Sequence, residues 1–197
     1  MILAVNTNTT TDFIIETAAL KPGSVLRSKP VKFHYGGKAA NTARALSVMG
    51  APVFLAGFAG RTEKKDAEKY FKSFGMNCSF VAVRGSARKC FIINEGKTGR
   101  ETVINGGSNY RITALQRSAL VKNVCAKASS ASVVVLSGSL PLSVKPDYYK
   151  ELITALKGKT GVILDTSSVY LRSALKAGPY ICLLYTSDAA DEEDSVD

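Results

Sequence analysis

One histidine, His34, is all that this 197-residue chain carries, so a His-dependent triad or a histidine-rich metal site would have to use it. It stands beside Tyr35 in a segment that alternates apolar and polar residues, where a structural role is the simpler reading. The four cysteines, Cys78, Cys90, Cys125 and Cys182, are scattered without a C-x-x-C pair. That argues against a zinc site or a disulfide framework and fits a reducing compartment. No apolar run reaches the roughly 18 residues of a bilayer-spanning helix. The start, Met1-Ile2-Leu3-Ala4-Val5, has no basic leader and meets polar Asn6 and Thr7 at once, unlike a secretory signal. The expectation is a cytoplasmic protein with no membrane partner.

Acidic residues are scarce over most of the chain. Six of the 16 acids (Asp188, Asp191, Glu192, Glu193, Asp194, Asp197) fall in the last sixteen residues, leaving 10 against 26 basic side chains over residues 1–181. A field of that sign draws in phosphorylated metabolites, nucleotides or nucleic acid. The basic residues form no dense block and no alternation with aromatics, so nucleic acid is the minority reading and no nucleic-acid partner is expected. With 46% hydrophobic and 21% charged residues, the composition is that of a globular chain with room for a sizeable core.

Apolar runs at residues 2–5, 53–58, 133–136 and 161–164 read as buried strands, and residues 13–16, 25–35, 79–83, 88–94 and 102–105 as further strands. Helical periodicity covers about 38–49, 63–74, 112–126, 146–156 and 169–176, with Thr113 as a candidate N-cap. The second half repeats strand, loop and helix, which predicts βαβ units and a doubly wound α/β sheet. The first half interrupts that rhythm with short strands suited to a small second sheet or lid.

The densest chemical signal is Gly36-Gly37-Lys38-Ala39-Ala40-Asn41-Thr42-Ala43-Arg44. Two glycines allow close backbone approach to a ligand, and the following helix start favours an anion. Lys38 adds a full charge, and Asn41 a donor and an acceptor one turn later. A strand-to-helix turn with a solvated lysine accounts for the same residues. Three polar clusters also end or follow strands: Asn8-Thr9-Thr10-Thr11-Asp12, Ser137-Gly138-Ser139-Leu140-Pro141 and Asp165-Thr166-Ser167-Ser168. Each alone is turn chemistry; together, at the carboxyl ends of strands, they point to one shared site. Arg88 alone reads as an exposed edge-strand arginine, although a guanidinium on a lid also forks onto phosphate. Gly96-Lys97-Thr98 and Gly158-Lys159-Thr160 imitate a P-loop, but Phe91 and Ile153 stand where its first glycine belongs. There is no G-x-G-x-x-G either.

Taken together, these motifs resemble the ribokinase/PfkB superfamily of sugar kinases, in particular its phosphosugar branch of 1-phosphofructokinase and tagatose-6-phosphate kinase. The branch's Asn-Pro-Ala-x-Asp turn is similar to Asn8–Asp12, with threonines for proline and alanine. Its Gly-Gly-Lys-Gly-x-Asn-x-Ala-Arg signature is matched by Gly36–Arg44 with Ala39 for glycine. The resemblance implies a ribokinase-like, mostly parallel sheet flanked by helices, with lid strands within about 12–35 and 79–105 of a domain spanning 1–181. It implies that Asp12 and Asn41 bond sugar hydroxyls and that Gly36 and Gly37 close on the sugar. It likewise implies that Lys38 and Arg88 grip the sugar's phosphate and that Ser139 lines the pocket. It further implies phosphoryl transfer from ATP with Mg in the full-length parent, fructose 1-phosphate or tagatose 6-phosphate as acceptor, and room for a homodimer through the lid.

The family's catalytic base is the aspartate of a Gly-x-Gly-Asp motif near the chain's end, and this sequence has none. The string from Cys182 to Glu192 is similar to a translated transposase-type sequencing-library adapter. The expectation is therefore that 182–197 is a non-native tail and that the C-terminal part of the fold is missing. No catalytic residue is assigned, and ATP and Mg are not expected to bind well to this fragment.

Overall fold

The computed structural model describes residues 1–184. Most of the tail expected to be non-native lies outside the described residues.

Among the described residues, ten strands and five helices fall in the order β1 (Ile2–Asn6), β2 (Thr10–Thr17), β3 (Lys32–Gly36), α1 (Lys38–Val48), β4 (Val53–Gly60), α2 (Lys64–Lys72) and β5 (Asn77–Val83). There follow β6 (Arg88–Glu95), β7 (Glu101–Asn105), α3 (Ala114–Ala128), β8 (Val133–Ser137), α4 (Tyr148–Leu156), β9 (Gly161–Asp165), α5 (Ser168–Leu175) and β10 (Ile181–Cys182). Six strands form a parallel sheet in the order β10-β9-β8-β1-β4-β5. The other four, β3-β2-β6-β7, form a small mixed sheet. The expected α/β class, with a mostly parallel sheet between helices, is what the chain adopts.

The alternation of β1 explains why both faces are covered. Leu3 and Val5 point into a core shared with Leu120 and Val124 of α3 and Leu152 of α4. Ala4 points the other way, onto Ala39, Ala40 and Ala43 of α1 and Phe71 of α2. Three small alanines let α1 lie close on the sheet, which draws the Gly36-Gly37 corner down onto the end of β1. Residues such as Leu3, Leu120 and Leu152 are fully buried, each stabilising the fold by about 1.5–3 kcal/mol relative to exposure. The start of α3 is fixed by a reciprocal capping box: Thr113 Oγ1 accepts from the Gln116 N–H, and Gln116 Oε1 accepts from the Thr113 N–H at 2.9 Å.

Local differences from the sequence reading have clear causes. The strand expected over 25–35 is confined to Lys32–Gly36, because Pro22-Gly23 and Pro30 break the preceding segment and Val25 is 98% exposed. The strand expected at 79–83 belongs to the edge of the large sheet, in register with β4 from Phe54↔Asn77 to Gly60↔Val83. A β4-α2-β5 unit returns it to that sheet. Thr10, Thr11 and Asp12, read as part of a polar turn, begin β2. That places Thr10 and Asp12 on one face of the small sheet.

Candidate functional site: a cationic cleft between the two sheets

Polar residues gather where β1, β8 and β9 end. Asn6, the last residue of β1, is buried and donates from Nδ2 to Thr9 Oγ1 and to the Gly36 carbonyl, both at 3.1 Å. This strap ties the first turn to the glycine corner. Gly37 has φ +117°, and a Cβ there would strike the Asn6 amide. Only glycine fits. A Cβ on Gly36 would lie 2.5 Å from Asp12 Oδ2 and 2.8 Å from Thr10 Oγ1. The Asp12 carboxylate therefore rests directly over the Gly36 backbone.

At β8 the chain turns through Gly138, whose carbonyl accepts from Tyr149 Oη and Thr166 Oγ1, both at 2.9 Å, while its N–H donates to the Asp165 carbonyl at 2.8 Å. Tyr149 is fully buried, which pushes its phenol pKa up, and its hydroxyl also meets Thr7 Oγ1 at 2.9 Å. The Asp165 carboxylate accepts from Ser137 Oγ at 2.7 Å and pairs with Lys38 Nζ at 3.4 Å. Asn8 Nδ2 donates to Ser139 Oγ at 3.1 Å.

These groups enclose a cavity of about 190 Å³ lined by Asn8, Gly37, Lys38, Arg88, Ser139 and Thr166 among others. Arg88 reaches it because β6 runs parallel to β2 with Arg88 opposite Thr10; its Nε is buried in the cleft without a hydrogen-bond partner. Lys38 and Arg88 bring two positive charges to its walls, with the Asp165 carboxylate paired to Lys38, and Gly37, the N-cap of α1, leaves the helix's first N–H groups without a side-chain cap. Such a cleft suits a phosphate. Cys90, beside Asp12, has its thiol pKa raised by burial and by that carboxylate, with Arg88 offsetting part of the effect.

Of the seven residues singled out in the sequence, Gly37, Lys38, Arg88 and Ser139 line the cavity. Gly36 and Asp12 pack on each other at its edge. Asn41 does not line it; it is exposed on α1, three residues beyond Lys38 and hence on the same helix face. Sequence reasoning passed over Asn6, whose strap role depends on a contact thirty positions away, and did not assign Asp165. A larger cavity of about 800 Å³ lies at the far end of the small sheet, lined by Arg27, Lys29, Arg100 and Glu95 among others, with none of these seven residues in its walls.

A family model described as pfkB family carbohydrate kinase matches residues 3–189. The chain belongs to that family. Among solved structures, a possible 1-phosphofructokinase from Thermotoga maritima superposes with a TM-score of 0.85 at 21% identity, covering 97% of this chain and 67% of that one. Phosphofructokinase-2 from Escherichia coli in complex with fructose-6-phosphate gives 0.83 at 21% identity, covering 96% and 67%. Ribokinase from Giardia lamblia gives 0.69 at 17%, covering 88% and 58%. The pfkB chain thus spans about two thirds of the length of the phosphofructokinases it resembles. These likenesses show its fold to be ribokinase-like; the carbohydrate-kinase family rests on the family model.

Among the described residues no three His, Cys, Asp or Glu side chains cluster as metal ligands, and the sequence holds no Gly-x-Gly-Asp. No helix of the described residues is long and apolar enough to cross a membrane.

Proposed function

We propose that this chain carries the sugar-phosphate half of a pfkB-type phosphotransferase. In a full-length parent, that half would present fructose 1-phosphate to MgATP and yield fructose 1,6-bisphosphate. The supporting observation is the cleft in which Lys38, Arg88 and the start of α1 converge beside the Asp12–Gly36 contact. Lys38 and Arg88 hold the phosphate, and Asp12 and Asn41 orient the sugar hydroxyls. Positioning of this kind, with charge neutralisation, accounts for most of phosphoryl-transfer catalysis. Asp165, beside the cleft, is engaged by Ser137 and Lys38, and the sequence holds no Gly-x-Gly-Asp, so no catalytic base is assigned and this chain binds without turning over. Tagatose 6-phosphate is the alternative acceptor, since the same residues suit either sugar.

Calorimetry with fructose 1-phosphate, tagatose 6-phosphate and a DNA duplex tests the reading. Saturable binding of one sugar phosphate, weakened tenfold or more by Arg88→Gln, supports it; binding of the duplex alone removes it. A coupled ADP-release assay on the 197-residue chain is expected to read background. Sustained turnover there would overturn the claim that the base is lacking.

A further inference from the structure

Arg84 and Arg111 take no part in the cleft. They face each other across an isolated antiparallel bridge between the end of β5 and the segment entering α3, with the Arg111 N–H donating to the Arg84 carbonyl at 2.9 Å. Directly opposed residues of an antiparallel pair project to the same side, their Cβ atoms about 5 Å apart. Like charges so placed repel unless something negative joins them. Among the described residues no carboxylate forms an ion pair with either. Glu63 is occupied: its Oε2 accepts from the Ala87 N–H at 2.8 Å.

Both arginines line a cavity of about 530 Å³ that the kinase reading leaves unused. That volume lies within the range of small-molecule sites. Ser108 and Asn109 supply polar groups on one wall, and Leu142, 84% exposed, forms an apolar rim on another. The floor is held rigid: Asn109 Oδ1 accepts from the Ser86 N–H at 2.6 Å, and Gly85, at φ +100°, has no room for a Cβ beside the Asn109 carbonyl. Two planar, always-charged forks over a fixed floor are the arrangement that bridges phosphate oxygens.

We propose that the Arg84–Arg111 cavity is a second anion site, one that takes a phosphorylated small molecule with its phosphoryl group between the two guanidinium groups and its organic part against Leu142. This site is separate from the sugar-phosphate cleft, and loss of fructose 1-phosphate binding would leave it intact.

Calorimetric titration of the full 197-residue chain with pyrophosphate tests it. The expected isotherm shows binding that survives Arg88→Gln and falls tenfold or more in either Arg84→Gln or Arg111→Gln. Both arginines are exposed, so unchanged melting curves will show that these variants fold. As a control for a diffuse basic field, Lys157→Gln/Lys159→Gln, at the opposite ends of the strands, is expected to leave the binding unchanged. Binding abolished by Arg88→Gln alone, untouched by the Arg84 and Arg111 variants, or weakened equally by the lysine control would each overturn the proposal.

Discussion

Gly36→Ala tests the cleft's architecture more sharply than any charge removal, because it adds one methyl group and removes no charged or hydrogen-bonding group. The new Cβ would stand 2.5 Å from Asp12 Oδ2 and 2.8 Å from Thr10 Oγ1, where ordinary contacts begin at 3.4 Å. Thr10 is buried and paired with Gly36 in the β2–β3 ladder, so it yields little. The Asp12 carboxylate is the end of a short, partly exposed side chain and must swing away by roughly 1 Å, a displacement able to lower binding or catalysis on the order of 100-fold. Overpacking of this size costs about 1–3 kcal/mol of stability, a fall of roughly 2–12 °C in Tm for a domain of this length. Losing a hydrogen bond from a charged group removes about 1.5–3 kcal/mol of binding, or roughly 10- to 150-fold in the Kd for fructose 1-phosphate. Gly107→Ala, where a Cβ meets nothing within 4 Å, is the neutral control. If displacement of Asp12 is the cause, Gly36→Ala will add little affinity loss to an Asp12→Ala background, giving a coupling of about 1 kcal/mol or more. Additive losses in that cycle, or a Gly36→Ala protein with unaltered melting and affinity, would refute the argument.

Gly57→Ala is expected to destabilise far more, to the point of insoluble expression, because its Cβ would overlap the Asn6 backbone oxygen within the parallel β1–β4 pair; a soluble variant with near-normal melting would contradict the register. Thr113→Ala removes half of the α3 capping box and should cost about 0.5–2 kcal/mol, read as a shift in urea midpoint with unchanged slope. The phenols of Tyr110, Tyr148 and Tyr149 are all pushed up by burial. The unfolded chain therefore loses these protons first, and stability falls as pH rises above about 10; Tyr149→Phe should flatten that alkaline limb. The Cys78 thiol is pushed up to about 11, mainly by burial and secondarily by Glu68. Its alkylation at pH 8 should be slow and should rise steeply toward pH 11 in a mass-spectrometric time course.

Much of the site was legible because its chemistry is local. Gly36, Gly37 and Lys38 are adjacent in the chain, and a glycine pair before a helix start means close approach and anion affinity wherever it occurs. Arg88 was ambiguous in the sequence for the opposite reason. The sequence placed it on an edge strand, but β6 lies between β2 and β7, and the parallel β2–β6 register sets Arg88 against Thr10, in the wall of the cleft. Asn6 escaped, and Asp165 was read only as part of a polar cluster without a role, because their significance lies in partners 30 and 127 positions away.

The sequence by itself determined the α/β class, through apolar strands alternating with amphipathic helices, and placed all five helices to within two residues at each end. It also determined the family, whose model matches residues 3–189. Only the tertiary structure decided that β5 joins the large sheet, that 25–31 is not strand, and that Asp12 lies on Gly36 while Asn41 stands outside the cavity. The physical reason is range. Periodicity and capping act within a few residues, whereas strand partners and cleft walls are chosen by burial between segments far apart in the chain.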